Sequence, residues 1–161
     1  MSLSLLLGGL SLLIWLYLLG GRGGFWYGFA EPVAPPLTRY PEVAAVVPAR
    51  DEAEQIGASL QTLLRQDYPG AFHIVLVDDH SADATRAEAE QAALAAGAAD
   101  RLSIVPAPPL PPGWVGKVWA MSTGLEQARR VAPSARYILF TDADIQHAPD
   151  SLRRLVAAAE H

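Results

Sequence analysis

The chain has 161 residues, 51% hydrophobic and 18% charged, which is enough apolar content to bury a core and too much for a disordered tail. It has no cysteine, which excludes disulfide scaffolds, zinc–thiolate sites, iron–sulfur clusters and cysteine nucleophiles together. Its formal net charge of −5 is the wrong sign for a general nucleic-acid binder, so no nucleic-acid partner is expected.

The charge is unevenly spread along the chain. Among residues 1–30 the one Asp, Glu, Lys or Arg is Arg22, whereas residues 31–161 carry 11 basic and 17 acidic side chains, a net of −6. Leu3 to Leu19 is a Leu-biased run of 17 residues without charge. As a helix it would be about 26 Å long, close to the thickness of a bilayer core. Trp15 and Tyr17, with Phe25, Trp26 and Tyr27 beyond them, supply interfacial rings near one end, and Gly20, Gly21, Gly23 and Gly24 stop the helix. A cleaved signal peptide fits less well: there is no basic leader, the apolar run is long, and no A-x-A site follows. Residues 1–24 are therefore expected to be a membrane anchor, with its helix over about 3–19. Arg22 follows the helix, so the positive-inside tendency puts residues 22–161 on the cytoplasmic side of the cell (inner) membrane.

Residues 25–42 read as a proline-rich linker, densest at Glu31–Pro41 (EPVAPPLTRYP). From residue 43 short β-rich runs alternate with helical patterns. Val43–Val47 is a first strand, expected to end at Pro48. Asp51 stands three residues before Glu54, a capping-box spacing, and opens a helix with Ile56, Leu60, Leu63 and Leu64 on one face. Phe72–Val77 is a second strand, and an Ala-rich helix runs from about Ala82 to Ala96 with Gly97 placed to close it. Leu102–Val105 and Tyr137–Phe140 are third and fourth strands, with a helix from about Val118 to Arg130 between them. Apolar strands separated by helices predict an α/β sandwich whose parallel sheet is covered on both faces. Ligands of such sheets bind at the carboxyl ends of the strands.

Those ends carry polar clusters. Pro48, Ala49, Arg50, Asp51 and Glu52 follow the first strand, Asp78, Asp79, His80, Ser81 and Asp83 the second, and Thr141, Asp142 and Asp144 the fourth. Neighbouring carboxylates resist ionising together unless a cation or hydrogen-bond donors compensate. A divalent metal held with a diphosphate provides that compensation, and hard oxygen ligands suit Mg²⁺ or Mn²⁺. Each signal alone is weak. A lone D-x-D is often a solvated loop, Ser81 and Asp83 have a capping explanation, and Asp51 is divided between a cap and a functional role. Three polar strand ends in one sheet are harder to dismiss. Lys117 is the chain's single lysine, in a Gly-containing loop (GWVGK) that lacks the P-loop spacing. The four histidines show no ligand spacing, and Trp114 and Trp119 read as loop packing.

The ordered set VVPARDEAEQI, VLVDDHSAD, GWVGKVWA and ILFTDADI resembles the family 2 glycosyltransferases of GT-A fold over about residues 43–160. The GKVWA and TDADIQHAPD wording is similar to the hopanoid-biosynthesis-associated membrane glycosyltransferases. The resemblance implies a GT-A sandwich, incomplete here, that takes a sugar from a UDP-sugar donor and passes it with inversion to a lipid or polyprenyl-type acceptor. It implies that Pro48, Ala49 and Glu52 line the uridine pocket with Arg50 close by, and that Asp79 accepts a hydrogen bond from uracil with Asp78 in support. Lys117 would lie near the diphosphate. Asp142 and Asp144 would be the D-x-D metal ligands, with Mg²⁺ or Mn²⁺ acting as Lewis acid on the departing nucleoside diphosphate.

The family's catalytic base and acceptor half follow the D-x-D and would lie beyond His161. The 161 residues alone are therefore expected to be the donor-binding part, inactive or nearly so. The alternatives are a membrane-anchored nucleotide-binding fragment and, further off, a D-x-D phosphatase. The phosphatase reading is disfavoured because its aspartate pair normally follows the first strand.

Overall fold

A computed structural model of the protein describes residues 3–21 and 37–160. Arg22, the rings of Phe25, Trp26 and Tyr27, and most of the proline-rich linker lie outside the described residues. The chain divides into two units, Met1–Ala34 and Pro35–His161.

The first unit contains helix α1, Leu3–Gly20, with no buried residue and a mean hydropathy of 2.1. Its length and composition are those of a membrane-crossing helix, and it is apolar around its whole circumference rather than along one stripe.

The second unit is a three-layer α/β sandwich. Strands β1 (Val43–Ala49), β2 (Phe72–Asp78), β3 (Leu102–Pro106) and β4 (Tyr137–Phe140) form one parallel sheet in the order β3-β2-β1-β4. Helices α2 (Ala53–Leu64), α3 (Thr85–Ala95), α4 (Gly116–Val131) and α5 (Ser151–Glu160) cover it. The alternating side chains of β1 and β2 divide between two cores. Val43, Ala45, Val47, Ile74 and Leu76 pack with α2, α3 and α5 on one face, through Ile56, Leu60, Ala89, Leu152 and Val156. Ala44, Val46, Val75 and Val77 face α4 on the other, through Ala120 and Ala128. Right-handed crossovers explain the division: the chain steps outward from β1 to β3 with α2 and α3 on one face, then reverses through α4 on the opposite face to reach β4. The reversal makes the gap between β1 and β4 a topological switch point, where the loops after neighbouring strands part.

The elements follow the sequence pattern closely, and two departures have physical causes. First, β1 continues through Pro48 to Ala49 rather than ending at the proline. Ala49 O accepts the Asp79 N–H on the β2 side, so Pro48 points its missing donor at the β4 side, where pairing has ended at Val46–Phe140. No ladder bond is lost. Second, Asp51 forms no capping box. It sits in the left-handed region (φ 54°), and the N-cap of α2 is Glu52, whose side chain makes no capping bond. Gly97 behaves as read: at φ 63° it closes α3, its N–H donating to Leu94 O while the Ala98 N–H reaches Ala93 O, the paired bonds of a Schellman cap.

Candidate functional site

A cleft of about 380 Å³ opens at the carboxyl edge of the sheet, over the switch point. Pro48, Ala49, Arg50 and Glu52 line it from the end of β1, Asp79 from the end of β2, Asp142, Ala143 and Asp144 from the end of β4, and Gly116, Lys117 and Ala120 from the start of α4. Eight of the nine residues singled out from sequence therefore meet in one place. The ninth, Asp78, is not among the lining residues. Its Oδ1 accepts the Ser81 N–H at 3.0 Å, so it shapes the turn that presents Asp79.

Each wall is built differently. Beyond the β1–β2 pairing, the two loops are held by the backbone bond from Asp79 to Ala49 and by side-chain bonds from the β2–α3 loop to the start of α2. The D-x-D segment is tied to α2. Buried Ser59 donates to Ile145 O (2.7 Å), the His147 N–H donates to Thr62 Oγ1 (3.0 Å), and Gln66 donates from Nε2 to Ala148 O (2.8 Å) while accepting the Leu152 N–H. His147 Nε2 also lies 3.0 Å from the hydroxyl of Thr141, and burial holds this imidazole below its ordinary pKa. The α4 wall is joined to the loop before it: Trp114 in the loop and Trp119 in the first turn of the helix meet edge-on at 5.1 Å, and Trp119 Nε1 donates to Pro108 O (3.0 Å).

The electrostatics alternate across the cleft. Lys117 Nζ meets Asp142 Oδ1 at 2.7 Å. Asp79, whose side chain is 17% exposed, lies between Arg50 (3.8 Å) and the ring of His80 (3.3 Å). Asp144 is exposed, with no other carboxylate near enough to complete a protein-only metal cluster; no group of three or more His, Cys, Asp or Glu suited to a metal occurs among the described residues. Two carboxylates flanking buried Ala143 at an open cleft have the chemistry of a partial donor set, one that a ligand's oxygens would have to complete. That is how Mg²⁺ is usually held, with one or two carboxylates plus substrate phosphates.

The residues that sequence reading passed over are small. Gly116 faces Asp79 so closely that a Cβ there would lie 3.2 Å from Oδ2, and Ala120 and Ala143 are buried in the cleft floor. Their contribution is the space they leave, for which composition and spacing hold no signal.

Residues 44–161 match the family described as Glycosyl transferase family 2. The chain belongs to that family. Among curated family relatives, a 66-residue stretch is 42% identical to beta-monoglucosyldiacylglycerol synthase of Synechocystis sp., covering 36% of this chain and 14% of that protein. Among solved structures, the Pyrobaculum calidifontis mannosyltransferase PcManGT, in complex with GDP-Man and Mn²⁺, is similar at 29% identity and TM-score 0.60, over 82% of this chain and 36% of that one. S. aureus TarS 1–349 in complex with UDP is similar at 25% identity and TM-score 0.58, over 74% and 32%. The chain thus spans about a third of the length of these solved structures and 14% of the curated relative. Together with the parallel sheet, these matches place the fold among the GT-A glycosyltransferases.

Proposed function

We propose that the cleft binds the nucleotide diphosphate of a UDP-sugar, and that the protein transfers the sugar with inversion to a lipid or polyprenyl-type acceptor. The observation that carries this reading is the convergence of three strand ends and one helix start on a single cleft: Glu52 and Arg50, Asp79, the D-x-D pair, and Lys117. In the proposal Asp79 accepts the uracil N–H, and Pro48, Ala49 and Glu52 form the pocket around the nucleoside. Lys117 supplies a point charge to the diphosphate, the ligand for which an ammonium on a flexible stem is suited. Asp142 and Asp144 would hold Mg²⁺ or Mn²⁺, whose chemistry there is to neutralise charge on the departing diphosphate. Binding that strengthens as the diphosphate leaves lowers the barrier as well as retaining the donor.

A lipid acceptor is supported by the named product class of the Synechocystis relative and by α1, which we read as an anchor keeping the cleft near a membrane. Residues 22–161 would then be cytoplasmic. The motif wording favours a role in hopanoid biosynthesis within this reading.

Calorimetric titration of the full chain in detergent with UDP, with and without Mn²⁺, tests the donor side. Metal-dependent binding that Asp144→Ala abolishes is the expected result, and absence of binding by a folded sample would overturn it.

A further inference from the structure

The loops after β1 and β2 are joined by a set of bonds whose side chains, those of Asp51, Ser81, Asp83 and Thr85, are not part of the cleft lining. The Asp51 N–H donates to Ser81 Oγ (3.1 Å), and Asp51 Oδ1 accepts the Ala82 N–H in return (2.7 Å). The Glu52 N–H donates to Thr85 Oγ1 (2.8 Å) and the Ala53 N–H to Asp83 Oδ2 (3.1 Å). The Thr85 hydroxyl and N–H both donate to Asp83 Oδ1, so one carboxylate serves the first turns of α2 and α3 together. The caps of α2 thus come from residues about thirty positions downstream, and α2 has no local side-chain cap.

From this geometry we infer that Ser81, Asp83 and Thr85 form a clasp that positions Arg50 and Glu52 against Asp79, and so sets the affinity of the cleft for its nucleotide. The inference rests on the nucleotide reading of the cleft. These are positioning residues: Asp51, Glu52 and Ala53 supply the clasped amides, and Arg50 and Glu52 line the cavity. Strain supports the assignment. Asp51 (φ 54°) and His80 (φ 61°) both occupy the left-handed region, one beside Arg50 and Glu52 and the other directly after Asp79. A non-glycine residue stays there only when its surroundings over-determine it, and Asp51 is held by bonds at both its N–H and its carboxylate. Thr85 is fully buried, so no water replaces its hydroxyl if it is removed.

The test is UDP titration, with Mn²⁺, of the full chain in detergent as wild type, Thr85→Val and Thr85→Ser, beside Val156→Ala, which trims the core under α5 away from both loops. Thr85→Val keeps the shape and loses the cap, leaving the Glu52 amide unpaired. The competent arrangement should then become a minority and the apparent affinity fall about tenfold. Thr85→Ser should restore it to within about twofold. Val156→Ala should keep wild-type affinity while melting at least as early as Thr85→Val. Equal affinity of Thr85→Val and wild type would overturn the clasp, as would parallel losses in Thr85→Val and Val156→Ala, which would reduce Thr85 to a stability role. Failure of the folded wild type to bind UDP overturns the nucleotide reading and takes the clasp's role with it.

Discussion

Lys117 and Asp142 meet at 2.7 Å with side chains 58% and 49% exposed, a setting in which an ion pair contributes little to stability. Replacing Lys117 with Met should therefore shift unfolding free energy by less than about 1 kcal/mol, readable as an almost unchanged melting midpoint. Its effect on nucleotide should be larger, since a diphosphate would lose a charge-assisted partner. A roughly tenfold weaker UDP affinity by calorimetry is expected. Wild-type UDP affinity in Lys117→Met would separate the lysine from the diphosphate. At this scale the carboxylates were legible in the sequence because each follows an apolar run, where a parallel sheet must present its ligands. Position after the strand does not separate Asp78 from Asp79; the motif resemblance assigns the contact to Asp79 with Asp78 in support, and it is Asp79 that lines the cleft. The clasp was half legible. Ser81 and Asp83 read as caps for their own helix, but periodicity along the chain gives no sign that they also hold the amides of Asp51 and Ala53 at the approach to α2.

Helix α4 carries Lys117 at one end and lies across β1 and β2 by way of Gly124. A Cβ at Gly124 would meet Val46 Cγ1 at 2.3 Å and Val77 Cγ2 at 2.9 Å, both on buried side chains of the sheet. Neither valine has room to withdraw from a packed core. Gly124→Ala should therefore push α4 outward and cost about 1–3 kcal/mol despite alanine's better helix propensity, seen as a lower melting midpoint. The same displacement moves Gly116 and Lys117, so UDP affinity should fall with it. An Ala variant as stable as wild type would mean that α4 shifts without resistance. This close approach explains why the element was predicted but its seat was not. A glycine within a helical pattern reads as a weak position, and only the neighbouring strand shows why a side chain is excluded. Strand order follows the same logic, because periodicity gives each strand, whereas the reversal that places β4 beside β1 is a property of the crossovers.

The whole second unit shares one protonation demand. His73 on β2 lies 2.9 Å from Ser103 Oγ, and burial lowers its pKa against the opposing pull of Glu42 and Asp100. His147, behind the D-x-D segment, is lowered by burial as well. Both imidazoles are thus held neutral where the unfolded chain would still take up a proton. Between their folded values and the ordinary 6.5 the unfolded state binds more protons, so stability is fully present above 6.5 and is lost as pH falls through that value to the folded ones. Asp83 adds a second step at lower pH with the same sign. The Thr85 hydroxyl foremost, and then the amides of Thr85 and Ala53, hold its carboxyl below the ordinary 3.8, so its contribution is present above that value and disappears as pH drops through the lower folded one. Melting midpoints from pH 8 downward should accordingly fall once near neutrality and again in strong acid. His73→Gln with His147→Gln should flatten the first descent and leave the second, and Asp83→Asn should do the reverse. A first descent that persists in the double glutamine variant would assign it to groups other than these two histidines. A flat profile in the wild type would mean that neither ring is held neutral by the fold.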